Sequence, residues 1–374
     1  MKGRHTRRPR PSDPPRRRSG AYRGRHRAGS RAWGKFWPTL ILLVATLLAG
    51  MALPASAASQ TTCAELDEPV HSGLLAATMH ATLCSTSAAQ GGAPLQVLVS
   101  GGTYNRMYWA GLGLDAYSYT RRANAAGFDT LAVDRIGTGD SSHPLSALVT
   151  ASVQADAVHQ LITRARTGAL DGHHHSLVAL VGHSLGSMAA VIAAARYPGD
   201  IGAVILTGYS HLISGDQLLT SLTSMYPAAL EGRPLDPGYV TTRPSVRAGL
   251  FHAADDVDPA VVTADEASKD ASSATELPDA VLLGLSPVTS HSITVPVLEA
   301  NGGRDSWACT AVDCTSPQSL HAAEQPYFST PLTTYVQPRS GHCLALAVDG
   351  GEFTDFASRW LTDVLPADGT GGAS

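Results

Sequence analysis

Ser184 stands at the centre of Gly182-His183-Ser184-Leu185-Gly186, with glycines two positions before and two after it. An apolar run, Leu177 to Val181, leads into this pentapeptide, and an Ala-rich apolar segment, Met188 to Ala193, leads out of it. Strand, tight turn and helix in that order lift a serine hydroxyl to the carboxyl edge of a parallel sheet, on a strained turn that tolerates only small neighbours. The chemistry open to such a serine is nucleophilic attack on an acyl carbon. A serine that caps a helix N-terminus after a buried strand is the plainer alternative. The pentapeptide alone is weak evidence in a chain with 36 Gly, and the flanking apolar segments give it weight.

A serine nucleophile needs a histidine to take its proton, and the histidine needs a carboxylate to hold its tautomer and stabilise its cation. With this elbow the order along the chain is Ser, acid, His, the acid following a late strand and the His the last one. Val295 to Glu299 reads as the late strand, and Asn301-Gly302-Gly303-Arg304-Asp305 as the loop at its carboxyl end, so Asp305 is the expected acid. Glu299 falls within the strand; Asp313, farther along the loop, is the best substitute, and Asp216 a weaker one. Leu332 to Val336 reads as the final strand, and His342 follows it as the expected base. His183 belongs beside the elbow, and His211, His252 and His291 read as surface residues. The oxyanion of a tetrahedral intermediate needs backbone donors. Leu185, after the nucleophile, supplies one, and Thr103, at the end of Ser100-Gly101-Gly102-Thr103, is expected to supply the other.

The elements that must position these residues alternate as βαβ units, which implies a mostly parallel central sheet with helices on both faces. Strands are expected at Leu95 to Val99, Phe128 to Val133, Leu177 to Val181, Ala203 to Leu206, Val295 to Glu299 and Leu332 to Val336. Helices are expected at Tyr117 to Ala126, Ala151 to Arg164, Leu185 to Arg196 and Phe353 to Val364. Between Gly208 and Ser292 the alternation breaks: the segment is rich in Pro, Asp and Ser, carries 11 Asp+Glu and 4 Lys+Arg, and shows no convincing buried strand. It reads as a cap over the strand ends.

The first 35 residues hold 13 Lys+Arg and one acid, Asp13, ahead of the uncharged apolar stretch Phe36 to Leu53 and the small residues Ala55-Ser56-Ala57. This is the pattern of a secretory signal peptide with a long basic front, a retained N-terminal membrane anchor being the alternative. Arg7-Arg8 lacks the apolar follow-on of a twin-arginine signal. Without residues 1–57 the chain has 14 Lys+Arg against 30 Asp+Glu, a balance that repels nucleic acid and anionic membrane surfaces. The divisions are then 1–57 leader, 58–208 core, 209–292 inserted cap, 293–365 core and 366–374 disordered tail.

Five cysteines in an exported chain are expected to be bridged. Cys63 and Cys84 bracket two short strand-like runs; among Cys309, Cys314 and Cys343 the local pair is Cys309–Cys314, with Cys343 left open as a partner and one thiol unpaired. His173-His174-His175 has no carboxylate or thiol at ligand spacing and reads as a solvated turn.

Taken together, Ser100 to Thr103, Asp134 to Ser141, the elbow, the Gly302 to Asp305 loop and Gly341-His342 resemble the α/β-hydrolase fold superfamily over Leu95 to Ala203 and Val295 to Leu361. Ser100-Gly101 stands where many members have His-Gly, and the elbow is similar to those of lipases, esterases and thioesterases. The resemblance implies a Ser184, Asp305, His342 triad, an oxyanion hole from the Thr103 and Leu185 amides, and a cap that sets the substrate. A serine nucleophile argues against a dehalogenase or epoxide hydrolase. The expectation is a secreted serine hydrolase that cleaves a small-molecule carboxylic ester through an acyl-enzyme and needs no metal or organic cofactor. Amide or lactone hydrolysis and acyl transfer are open to the same triad, and a non-catalytic binding protein on this scaffold is the alternative of another class.

Overall fold

The structure is a computed structural model and describes residues 61–73, 75–86 and 93–365. The leader and the C-terminal tail expected from the sequence lie outside these residues.

A long antiparallel hairpin comes first, β1 (Thr61–Ser72) with β2 (Leu75–Thr86). There follow β3 (Leu95–Val99), α1 (Tyr119–Ala125), β4 (Asp129–Val133), α2 (Ala151–Thr167), β5 (Val178–His183), α3 (Leu185–Arg196) and β6 (Ala203–Thr207). An insertion then intervenes before β10 (Val297–Gly302), α7 (Pro317–Glu324), β11 (Leu332–Gln337) and α8 (Gly350–Val364). The insertion contains α4 (Gly215–Ser224), β7 (Met225–Pro227), β8 (Tyr239–Thr242), α5 (Arg247–Phe251), α6 (Pro259–Ala267) and β9 (Ser272–Ser273).

The eight strands of the main sheet run in the order β1-β2-β4-β3-β5-β6-β10-β11, antiparallel where β2 meets its neighbours and parallel from β4 onward. The central strands are buried on both faces, which is why they read as continuous apolar runs rather than as alternations. Leu95, Val97 and Val99 pack with Val158, Leu161 and Val191 of α2 and α3 on one face. Leu98 and Val181 pack with Phe353 and Leu361 of α8 on the other. Each such full burial contributes roughly 1.5–3 kcal/mol.

From β3 the chain moves to β4 on one side, whereas β5 lies on the other, so the carboxyl ends of β3 and β5 flank a switch in strand order. Ligand crevices of open α/β sheets form at such a switch. Here Val99 is in register with Gly182, so the loop after β3 emerges level with Ser184.

The segment expected to lack strands forms a three-stranded sheet of its own, β7-β8-β9. Its strands are two to four residues long, too short for any hydrophobic period to register. Cys63–Cys84 staples β1 to β2, and Cys309–Cys314 closes the loop after β10, which leaves Cys343 as a buried free thiol. The His173 to His175 turn is only partly solvated, since His175 is buried against Asp171. No cluster able to hold a metal occurs among the described residues, and none of their helices is long and apolar enough to cross a membrane.

Candidate active site

Ser184 occupies the turn between β5 and α3 with φ 54° and ψ −119°, a conformation an L-residue holds only under constraint. The constraint is visible in its neighbours. The Ser184 N–H donates to the Thr207 carbonyl at 2.8 Å, and the Ser187 hydroxyl, on the first turn of α3, donates to the same oxygen at 2.9 Å. A Cβ on Gly186 would lie 2.3 Å from the Val99 carbonyl, and one on Gly182 2.5 Å from Ser187 Cα, so neither position admits a side chain without moving backbone. The Ser184 side chain makes no capping bond to α3, so helix capping does not account for this serine.

His342 Nδ1 lies 2.9 and 3.0 Å from the two carboxylate oxygens of Asp305, both residues being buried. The carboxylate is fixed in turn by the Trp307 and Ala308 amides, which donate to it at 2.7 and 3.1 Å. With Nδ1–H committed to Asp305, Nε2 is the acceptor, and it is buried without a partner among the described residues. Ser184 and His342 line one cavity of ≈340 Å³. None of the other carboxylates weighed from the sequence bonds His342 among the described residues: Asp313 and Asp216 are exposed, and Glu299 is buried in β10 beside Asn301.

His183 packs where the sequence put it, stacked on Tyr108 with ring centroids 4.4 Å apart. The Thr207 hydroxyl donates to the Gly182 carbonyl, so it accepts from His183 Nδ1–H, and His183 Nε2 faces the Cys343 thiol at 3.7 Å. Burial, then the neighbouring His342 and His252, pull its pKa well below the ordinary histidine value. It is a neutral packing residue rather than a competing base.

The side chains of His211 and His252, expected at the surface, are buried, and the reason is carboxylates on other elements. His211 Nδ1 meets Glu324 at 2.6 Å and its Nε2 meets the Ser290 hydroxyl at 2.7 Å. His252 Nε2 meets Asp265 at 2.8 Å. His291 is exposed, as expected.

The loop after β3 departs from expectation at one residue. Thr103 has φ 60°, and its N–H donates to the Ser272 hydroxyl at 2.7 Å. That amide is therefore committed and is not aimed at a substrate. The Gly102 amide, one residue earlier, makes no hydrogen bond among the described residues, and neither does the Leu185 amide at the start of α3. Gly102 and Leu185 are adjacent: a Cβ on Gly102 would lie 3.7 Å from Leu185 Cδ2.

The insertion holds both site loops. Arg247 donates to the Thr103 hydroxyl at 2.9 Å, and the Asp270 amide to the Thr103 carbonyl at 2.9 Å. Arg135, in the loop after β4, donates to the Gly101 carbonyl at 3.1 Å and pairs with Glu276 of the insertion. On the other side Asp256 accepts from the Ser340 hydroxyl at 2.6 Å, and the Phe251 carbonyl accepts from the Cys343 amide at 3.0 Å, gripping the loop that carries His342. Of the residues that tie the insertion to these loops, Arg247, Asp256, Asp270 and Glu276 were not singled out from the sequence as site residues, and Arg135 appeared there only within a longer run. A buried Arg or Asp has no local signature.

A family model described as the alpha/beta hydrolase family matches residues 96–355, a span that includes every candidate residue. The chain belongs to the alpha/beta hydrolase family. No match to a curated protein sequence is found. Several solved hydrolases share the fold. An esterase from Thermogutta terrifontis superposes with a TM-score of 0.56 at 16% identity, over 81% of this chain and 100% of its own. A carboxylesterase from Bacillus subtilis gives 0.52 at 16% identity, covering 82% and 93%. A monoacylglycerol lipase from Paleococcus ferrophilus gives 0.51 at 20%, covering 73% and 96%. Likeness at these identities establishes a hydrolase fold, whereas substrate is decided by the cavity of this particular hydrolase.

Proposed function

We propose that the chain is an exported serine hydrolase that cleaves uncharged carboxylic esters through an acyl-enzyme on Ser184. The observation that carries this reading is the strained, uncapped Ser184 sharing a cavity wall with a His342 whose Nε2 is unpartnered and whose Nδ1 is held by Asp305. Ser184 Oγ attacks the ester carbonyl carbon while His342 Nε2 takes the hydroxyl proton, and the imidazolium formed is stabilised by Asp305. The carbonyl oxygen, now an oxyanion, meets the free Leu185 and Gly102 amides. His342 returns its proton to the departing alcohol. Water, deprotonated by the same histidine, then attacks the acyl carbon and releases the acid and Ser184.

The lining of the cavity supports an apolar substrate. No Asp, Glu, Lys or Arg contributes to it, and Leu185, Met188, Leu218, Leu222, Val240 and Leu277 are among its walls. A cavity of this size and character suits a small ligand with one polar reacting group. The insertion, supplying much of that wall, acts as the cap. Export is supported by the two disulfides, which persist in oxidising compartments.

The test is hydrolysis of p-nitrophenyl esters from acetate to palmitate by the purified chain, with Ser184→Ala alongside and a fluorophosphonate probe to label the nucleophile. Turnover lost in Ser184→Ala, with labelling at Ser184, is the expected result. Turnover retained in that variant would remove Ser184 from the reaction, and no labelling together with no turnover would favour a binding protein.

A further inference from the structure

Ser272, in the short strand β9 of the insertion, has an unusual hydrogen-bond balance. Its Oγ accepts from the Thr103 N–H at 2.7 Å and from Arg135 Nη2 at 3.1 Å. A hydroxyl has two acceptor positions and one proton, so both acceptor positions are filled and only the O–H remains. That proton has no acceptor among the described residues, although the residue is only 4% exposed and lines the cavity shared by Ser184 and His342. The oxygen lies 3.9 Å from where a Cβ on Gly102 would stand, beside the free Gly102 amide.

Two donors acting on one hydroxyl oxygen fix its position and polarise its O–H, and one of them is a buried guanidinium. Chains of hydrogen bonds strengthen one another in this way in a low-dielectric interior. The tetrahedral direction left for the proton points away from Thr103 and Arg135. A buried donor without an acceptor is costly, and the cost is recovered when a substrate oxygen arrives.

We propose that Ser272 is a further catalytic residue: its hydroxyl donates a third hydrogen bond to the carbonyl oxygen of the bound ester and to the oxyanion formed from it. The assignment rests on the ester-hydrolase reading above. The hydroxyl keeps its proton throughout; it stabilises charge beside the Gly102 and Leu185 amides and transfers nothing. It also gives the cap a direct part in the chemistry, because Ser272 is delivered by the insertion while the other two donors belong to the core.

The experiment compares Ser272→Ala and Ser272→Thr with the parent protein on p-nitrophenyl butyrate and measures binding of an aryl trifluoromethyl ketone, which forms an oxyanion when Ser184 adds to it. Loss of one oxyanion donor costs about 100-fold in kcat. Ser272→Ala is expected to lose kcat by about that factor with KM within about threefold, and to weaken the ketone in proportion, while Ser272→Thr recovers most of both. Thr103→Val loosens the same loop from Arg247 without touching Ser272. An equal loss of ketone affinity in Thr103→Val would place the effect in the loop and overturn the assignment, as would a Ser272→Ala enzyme within about threefold of the parent in kcat. If Ser272→Ala does not fold, Ser272→Cys keeps the volume and only a weak donor, and the same criteria apply to it. Ser184→Ala, run in parallel, separates the two proposals: turnover that survives it sinks the hydrolase reading itself, whereas failure of the Ser272 variants alone leaves that reading standing.

Discussion

Arg247 Nη1 and the Thr103 hydroxyl oxygen are 2.9 Å apart, and both residues are buried. Arg247 belongs to the insertion and Thr103 to the loop that follows β3, so one guanidinium ties the insertion to that loop. Its charge is balanced by Asp265, whose Oδ1 accepts from Arg247 Nε and Nη2 at 2.9 and 2.7 Å. Burial pulls the Asp265 pKa upward, but the hydrogen bond with His252 and the charge of Arg247 outweigh it and hold the carboxyl below its ordinary value. The guanidinium also lies over the Tyr104 ring, 4.2 Å from its centroid. Arg247→Met is expected to destabilise the protein by about 3–5 kcal/mol, because it leaves a buried carboxylate short of its main partner. Urea unfolding would check this. A loss under about 1 kcal/mol would mean that the His252 hydrogen bond is by itself partner enough for Asp265.

Asp305 holds His342 by both carboxylate oxygens. Asp305→Asn preserves the shape of the contact but allows the amide to donate toward Nδ1, which selects the wrong imidazole tautomer. The expected result is a fall in kcat of about 10³ to 10⁴ with melting temperature little changed. Asp313→Asn and Asp216→Asn, both exposed and neither bonded to His342, should leave kcat within about twofold of the parent. If instead Asp313→Asn were the inactive variant, the acid would have been misassigned.

The parts of this protein legible in its sequence are those encoded locally. The elbow, the Gly302 to Asp305 loop and Gly341-His342 announce themselves because each follows an apolar run and combines small residues with one reactive group. Cys63–Cys84 was legible by spacing, whereas Cys309–Cys314 was only the local choice while Cys343 stayed open as a partner. What was not legible depends on partners that lie on other elements of the fold. Arg135 and Arg247 look like surface charges until Glu276 and Asp265 arrive beside them. His211 and His252 are drawn inside by Glu324 and Asp265, more than a hundred residues and thirteen residues away respectively. The shift from Thr103 to Gly102 as the free amide follows from Ser272, 169 residues downstream, in a Ser-rich run where no single serine stands out.

Leu222 sits on α4, lines the cavity and is nevertheless 54% exposed. It therefore marks a wall that is apolar inside and open to solvent outside. Leu222→Asp is expected to raise KM for p-nitrophenyl octanoate about tenfold, equivalent to ~1.4 kcal/mol of lost apolar contact. The acetate ester, too short to reach that wall, should change by less than about twofold. Equal effects on both esters would mean that the acyl chain leaves the site by another route.

Glu299 is a group whose ionisation should oppose stability. It is fully buried in β10, Asn301 Nδ2 donates to its Oε1 at 3.3 Å, and Oε2 has no partner among the described residues. Burial, and then the charge of Glu324, push its pKa well above the ordinary 4.5. Between the unfolded and folded pKa values the native state binds more protons than the unfolded state, so stability falls as pH rises through that window and is unaffected below it. Glu299→Gln removes the ionisation while keeping shape and acceptor. Its melting temperature should exceed that of the parent at pH 8 by about 2–4 °C for each kcal/mol relieved, and the gap should close as the pH is lowered to about 4, where the parent carboxyl is protonated in both states. A Glu299→Gln protein less stable than the parent at pH 8 would mean that the carboxylate form is the one the fold requires, with Asn301 as its donor.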